Sequence, residues 1–169
     1  MKFNKPTQVF SGGSWHEVSG GRSFDVFNPA TGEVFAQAAD ASREDVKEAI
    51  NAAAAAKDTW AAMTSSKRAS YLLKAADVME KRQQDFVDAL VGEGGSWIGK
   101  AMFETGYSIE ALRAAAAMVF HMNGEVLPSE HGKVSMAVRQ PLGVVSVISP
   151  WNFPLLLSVR GFAVAMAIG

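Results

Sequence analysis

The sequence predicts an α/β fold: an incomplete, Rossmann-like parallel sheet with N-terminal hairpins and helices. Three observations carry that expectation. The first forty residues hold short strand patterns split by glycines, and residues 42–122 hold helical stripes. A β-branched run at 143–148 then leads through a tight loop into an apolar helix, the opening half of a βαβ unit.

Taken in order, Gln8-Val9-Phe10 and Trp15-His16-Glu17-Val18 flank Gly12-Gly13, which reads as a hairpin. Gly20-Gly21 separates that strand from Ser23–Phe27. Asn28-Pro29-Ala30-Thr31-Gly32 is turn chemistry, because proline fixes φ and glycine admits positive φ, and Glu33–Ala39 continues as a strand. Ser42 with Asp45 three residues on forms a capping box, followed by the stripe Val46, Ala49, Ile50, Ala53 and Ala54. A second helix starting near Ser65 or Ser66 carries Ala69, Leu72, Leu73, Ala76 and Met79. A third holds Phe86, Ala89 and Leu90 and ends at the Gly92/Gly94/Gly95 cluster. The fourth, near 98–122, places Thr105, Ile109, Leu112, Ala116, Val119 and Phe120 on one face. Gly106 weakens it, and the alanines at 114–117 invite another element close. Gly124–Pro128 and Val134–Arg139 read as two extended segments around a polar loop. Gly143–Ile148 suits a strand covered on both faces, Ser149–Phe153 a tight loop, and Pro154 the first turn of an apolar helix over 155–168.

Bulk properties narrow the function. Sixteen basic against seventeen acidic residues give a net charge of −1, so no electrostatic case exists for nucleic acid or an anionic membrane as partner. The pairs Lys67–Arg68 and Lys81–Arg82 read as solvated helix faces. Cysteine is absent, which excludes disulfides, thiolate metal sites and a cysteine nucleophile within these 169 residues. His16, His121 and His131 are scattered without metal spacing, and the eight methionines are too dispersed for a binding stripe. Residues 1–14 lack the apolar stretch of a secretory signal, and Pro150, Asn152, Pro154 and Arg160 interrupt the only apolar region long enough to suggest a membrane span. A soluble, cytoplasmic protein is expected.

The chemistry is expected in Pro141–Pro154. Ligands of parallel sheets bind beyond the carboxyl ends of the strands, where residues 148–153 lie. The amide of Asn152 is an N–H donor suited to an oxyanion; equally, it could simply cap the following helix.

Pro150-Trp151-Asn152-Phe153-Pro154 after Pro141-Leu142-Gly143-Val144-Val145 resembles the aldehyde dehydrogenase superfamily. So, in order, do the glycine-split strands, the Asn28–Gly32 turn, the alanine-rich helix leading to Trp60, and Gly124-Glu125-Val126-Leu127-Pro128. The resemblance covers nearly the whole chain and is most specific over 141–154. It implies the N-terminal part of that family's fold. Residues 1–123 and 141–169 would form a partial cofactor-binding domain for NAD or NADP, and 124–140 would begin the arm through which homo-oligomers form, with the catalytic domain absent. It further implies Asn152 as the oxyanion-hole amide, with Ile148, Ser149, Pro150 and Trp151 in the loop along the nicotinamide. Phe153, Leu157 and Arg160 would face an aldehyde tunnel, with Trp97 and Tyr107 adding aromatic walls. An arginine at 160 is similar to the branch acting on benzaldehyde, vanillin or salicylaldehyde, although Val164 departs from it where proline is common. Taken without the resemblance, Arg160 reads as a snorkelling or salt-bridged arginine.

The family's thiolate nucleophile and glutamate base lie well beyond the asparagine loop. The expectation is therefore a fragment of an aldehyde-oxidising enzyme, inactive by itself; the alternative is a non-catalytic homologue that joins full-length subunits. Glu93, Glu104, Glu110 and Glu125 read as solvated positions, and none is expected to replace the missing base.

Overall fold

The computed structural model describes residues 5–169; the first four residues of the expected 1–123 unit lie outside that description. It is a mixed arrangement of five helices and three small antiparallel hairpins among the described residues.

The first hairpin pairs β1 (Gln8–Ser11) with β2 (Ser14–Glu17), Phe10 opposite Trp15. Its turn needs Gly12 and Gly13, whose φ values of 57° and 85° a side chain would oppose. The second pairs β3 (Ser23–Phe27) with β4 (Val34–Ala39), with a bulge at Val26/Phe27. The Asn28–Gly32 turn closes it, with Asn28 Oδ1 accepting from the Ala30 N–H and Gly32 N–H donating to the Asn28 carbonyl.

Helix α1 (Arg43–Ala61) begins with the expected capping box: Ser42 Oγ accepts from the Asp45 N–H, and the Asp45 carboxylate accepts from the Ser42 N–H at 2.7 Å. That carboxylate does more than cap. It also accepts the N–H and hydroxyl of Ser19, the latter at 2.8 Å, tying the first hairpin to α1. Helix α2 (Ser65–Lys81) is capped by Thr64, α3 is Gln83–Gly92, and α4 is Ile98–Met118. The third hairpin, β5 (Glu125–Leu127) with β6 (Ser135–Ala137), sets Val126 opposite Met136. Pro154 opens α5 (Pro154–Ile168) at its first turn, where its missing N–H costs nothing.

The main core is made by α2, α4 and α5. Leu72, Ala76 and Met79 meet Ile109, Leu112, Ala115 and Ala116 of α4, and Val159, Ala163 and Ala167 of α5. Alanines at the contact let the backbones approach closely, and each fully buried leucine or isoleucine contributes about 1.5–3 kcal/mol. The stripes are narrower than the sequence suggests. Leu73, a 100° step from Leu72, is exposed, as is Phe120 beyond the end of α4. Helix α1 buries no residue fully, and Val46 and Ile50 stay half exposed.

Two expectations fail here for physical reasons. Residues 143–148 form no strand and belong to no sheet: a ladder needs a neighbouring strand, and the described residues supply none. Arg68 is no solvated residue; it is 7% exposed. It donates to the carbonyls of Ala167 and Ala61, at the ends of α5 and α1 where helical partners run out, and to that of Met63 in the turn after α1.

The amide of Ser42 and the hydroxyl of Ser19 hold the Asp45 carboxyl down at about 2, below its ordinary 3.8. A depressed carboxyl contributes stability that is fully present above about pH 4, the unfolded value. That contribution is lost as pH falls towards 2. Denaturant titrations across this window should show wild-type stability falling more steeply than that of Asp45→Asn; parallel curves would refute the assignment.

Candidate active-site loop

The loop is assembled from both sides. On its N-terminal side, the 140–147 run lies against α5 and α1, bordering a groove of about 730 Å³ lined by Ala53, Trp60, Val144, Val147, Phe162 and Met166. Gly161 makes this approach possible, because a Cβ there would collide with the Val147 side chain. Trp60 locks the far end by donating its indole N–H to the Met166 carbonyl at 2.8 Å.

Ser149 anchors the loop itself. Ser158 Oγ donates to the Pro154 carbonyl at 2.6 Å, so the 2.8 Å contact between the two hydroxyls has Ser149 as donor. Between these anchors the loop stands open: Ile148 is 93% and Trp151 89% exposed, and Pro150 and Asn152 are exposed as well.

The capping alternative for Asn152 is not what the structure shows. Phe153 occupies the N-cap position and offers no side-chain acceptor. The N–H groups of Leu155 and Leu156 donate instead to Glu104 Oε1, at 2.9 and 3.3 Å, across from α4. The amide of Asn152 is left without a hydrogen-bond partner among the described residues. Glu104, expected at a solvated position, is completely buried. Its second oxygen accepts from Lys100 Nζ at 2.7 Å, and the same ammonium stands 4.5 Å from the centre of the Phe153 ring. A buried carboxylate is tolerable there because an ammonium, two amides and a positive helix end surround it.

The other expected site residues are only partly gathered. Leu157 and Arg160, three residues apart, lie on one side of α5, and Phe153 stands just before it as the N-cap. Leu157 is half-buried; Arg160 is exposed and makes no ion pair among the described residues. Trp97, at the start of α4, is exposed with its ring over Gly99. Tyr107 stacks on Phe103 with ring centres 5.7 Å apart. No side-chain hydrogen bond or ring contact joins Trp97 or Tyr107 to Arg160. Sequence reasoning missed Lys100, Glu104 and Arg68. The signal was present: Ala101, Glu104, Ser108, Leu112 and Ala115 recur at helical spacing on a buried face, and a carboxylate on such a face demands partners.

The hairpins, the helices and a loop that exposes an amide at the head of an apolar helix make up a mixed helix–strand arrangement. The family profile described as the aldehyde dehydrogenase family matches residues 15–169, and the chain belongs to that family. It is 42% identical over 162 residues to the vanillin dehydrogenase of Amycolatopsis sp., spanning 96% of this chain and 33% of the relative. It is 39% identical over 163 residues to the benzaldehyde dehydrogenase [NAD(+)] of Pseudomonas putida, again spanning 96% of this chain and 33% of the relative. The crystal structure of an NAD-dependent benzaldehyde dehydrogenase from Corynebacterium glutamicum superposes with a TM-score of 0.90 at 36% identity, covering 97% of this chain and 35% of that one. The chain thus spans about a third of the length of the relatives it matches, and its fold is the corresponding portion of theirs.

If Gly161 is what seats the 143–148 run, Gly161→Ala should be destabilising despite the roughly 1 kcal/mol that alanine ordinarily gains over glycine within a helix. A lower melting temperature, with faster hydrogen exchange over 143–149, is the expected result; a melting temperature raised by the substitution would refute the packing argument.

Proposed function

We propose that this chain supplies the oxyanion-donating, cofactor-facing loop of an NAD(P)-dependent enzyme that oxidises an aromatic aldehyde to a carboxylate. The observation that carries this reading is Asn152: exposed, without a partner among the described residues, and relieved of helix capping by Glu104. Such an amide can donate to the aldehyde oxygen as negative charge builds on it, the kind of interaction that lowers a carbonyl-addition barrier.

Residues 148–152 suit NAD or NADP, which when bound supplies the hydride acceptor. Ile148 and Trp151 offer open apolar surface to a flat ring, Ser149 pins the loop, and Pro150 limits its freedom. Residues 1–123 and 141–169 serve as part of the cofactor-binding domain. Phe153, Leu157 and Arg160 bring aromatic, aliphatic and cationic groups to the substrate, with Trp97 and Tyr107 as aromatic walls. The vanillin and benzaldehyde specificities of similar proteins favour an aromatic aldehyde. A nucleophilic thiol must come from elsewhere, since these 169 residues contain no cysteine.

Two measurements test this. The purified 169-residue chain with NAD or NADP and benzaldehyde should yield no reduced cofactor. In an enzyme that includes these residues, Asn152→Ala should lower kcat by about 10²–10³. Turnover by the chain alone, or an unchanged kcat in the variant, would defeat the reading.

Residues 124–140 serve as an association arm. Val126, Val134, Met136 and Val138 are all more than 60% exposed on the third hairpin, an apolar surface that water disfavours. Sedimentation should show concentration-dependent association, reduced by Val126→Lys with Met136→Lys. A chain that remains monomeric at high concentration would count against the arm.

A further inference from the structure

We propose that Glu104, clamped by Lys100, is a positioning residue that sets where the Asn152 amide stands; the catalytic meaning of that position rests on the function proposed above. A helix start is ordinarily capped by a serine, threonine, asparagine or aspartate of its own. Here the N-cap is Phe153, and the acceptor comes from another helix, fifty-one residues earlier. A carboxylate buried that completely is costly unless its partners are fixed.

Its partners lie on both sides of the loop's end. Oε1 receives the N–H groups of Leu155 and Leu156; Oε2 receives Lys100 Nζ, which also contacts Ser96 Oγ at 2.9 Å and covers the Phe153 ring. One cluster therefore fixes both the first turn of α5 and the ring of the residue next to Asn152. Asn152 itself, with no hydrogen-bond partner among the described residues, takes its place from these neighbours. The external cap also leaves the asparagine side chain free, which a cap by residue 152 itself would not.

The test is spectroscopic and uses the chain directly. The side-chain amide resonances of Asn152 are identified by their loss in Asn152→Ala, and the Leu155 and Leu156 amides are followed by hydrogen exchange. Glu104→Ala should speed exchange at both leucines by about ten- to a hundredfold and shift the Asn152 resonances. Glu104→Gln, which keeps an acceptor oxygen, should restore most of both. Unmoved Asn152 resonances in Glu104→Ala, or no rescue by glutamine, would overturn the proposal. If Glu104→Ala does not fold, Lys100→Met carries the test: shifted Asn152 resonances are expected, and unchanged ones overturn it. The kcat of Asn152→Ala judges the functional reading separately; a normal value would sink that reading and leave the resonance result to decide on Glu104.

Discussion

A helix leaves N–H groups unpaired at its start and carbonyls unpaired at its end, with partial positive and negative charge to match. In α5 both ends are met by ionic side chains from other helices. Glu104 of α4 receives the first amides, and Arg68 of α2 donates to the Ala167 carbonyl near the last turn, with Trp60 of α1 on Met166 beside it. Each charge has the sign that the helix dipole favours, so burial and electrostatics act together. The alanine-lined contact of α2, α4 and α5 then fills the space between these two clamps.

Much else follows from a fixed α5. The 140–147 run has no strand beside it among the described residues, and its position comes from Val147 against Gly161 and from Ser149 on Ser158. The loop between run and helix is thus held at both ends while its middle stays open. Rigid support with exposed donors is the arrangement expected of a binding loop, because ordering its residues beforehand lowers the entropy lost on binding. Asp45 plays a comparable part at the start of α1, where one carboxylate caps the helix and holds the first hairpin.

The elements with strong local signals were legible in the sequence. Gly12-Gly13, the Asn28–Gly32 turn, the Ser42/Asp45 box and Pro154 each encode their geometry within a few residues, and each forms where expected. Elements that depend on remote partners were less so. Gly143–Ile148 has the composition of a buried strand, but composition cannot supply the neighbour that completes a ladder. Likewise Val46 and Ile50 have helical spacing without a surface to cover them. The position of Asn152 was legible; its freedom was not, since that depends on an acceptor in another helix.

By itself, then, the sequence determined the chain's order of hairpins and helices, the turn and capping chemistry, and the Pro-Trp-Asn-Phe-Pro loop with its family resemblance. All of these are local, set by backbone preferences and side chains within one or two turns. The tertiary structure alone decided that Glu104 and Arg68 are buried and that the Asn152 amide is unengaged among the described residues. Those facts depend on pairings between residues some fifty to a hundred positions apart. A charged residue on a helical stripe shows that a partner is needed, and only packing shows which one it finds.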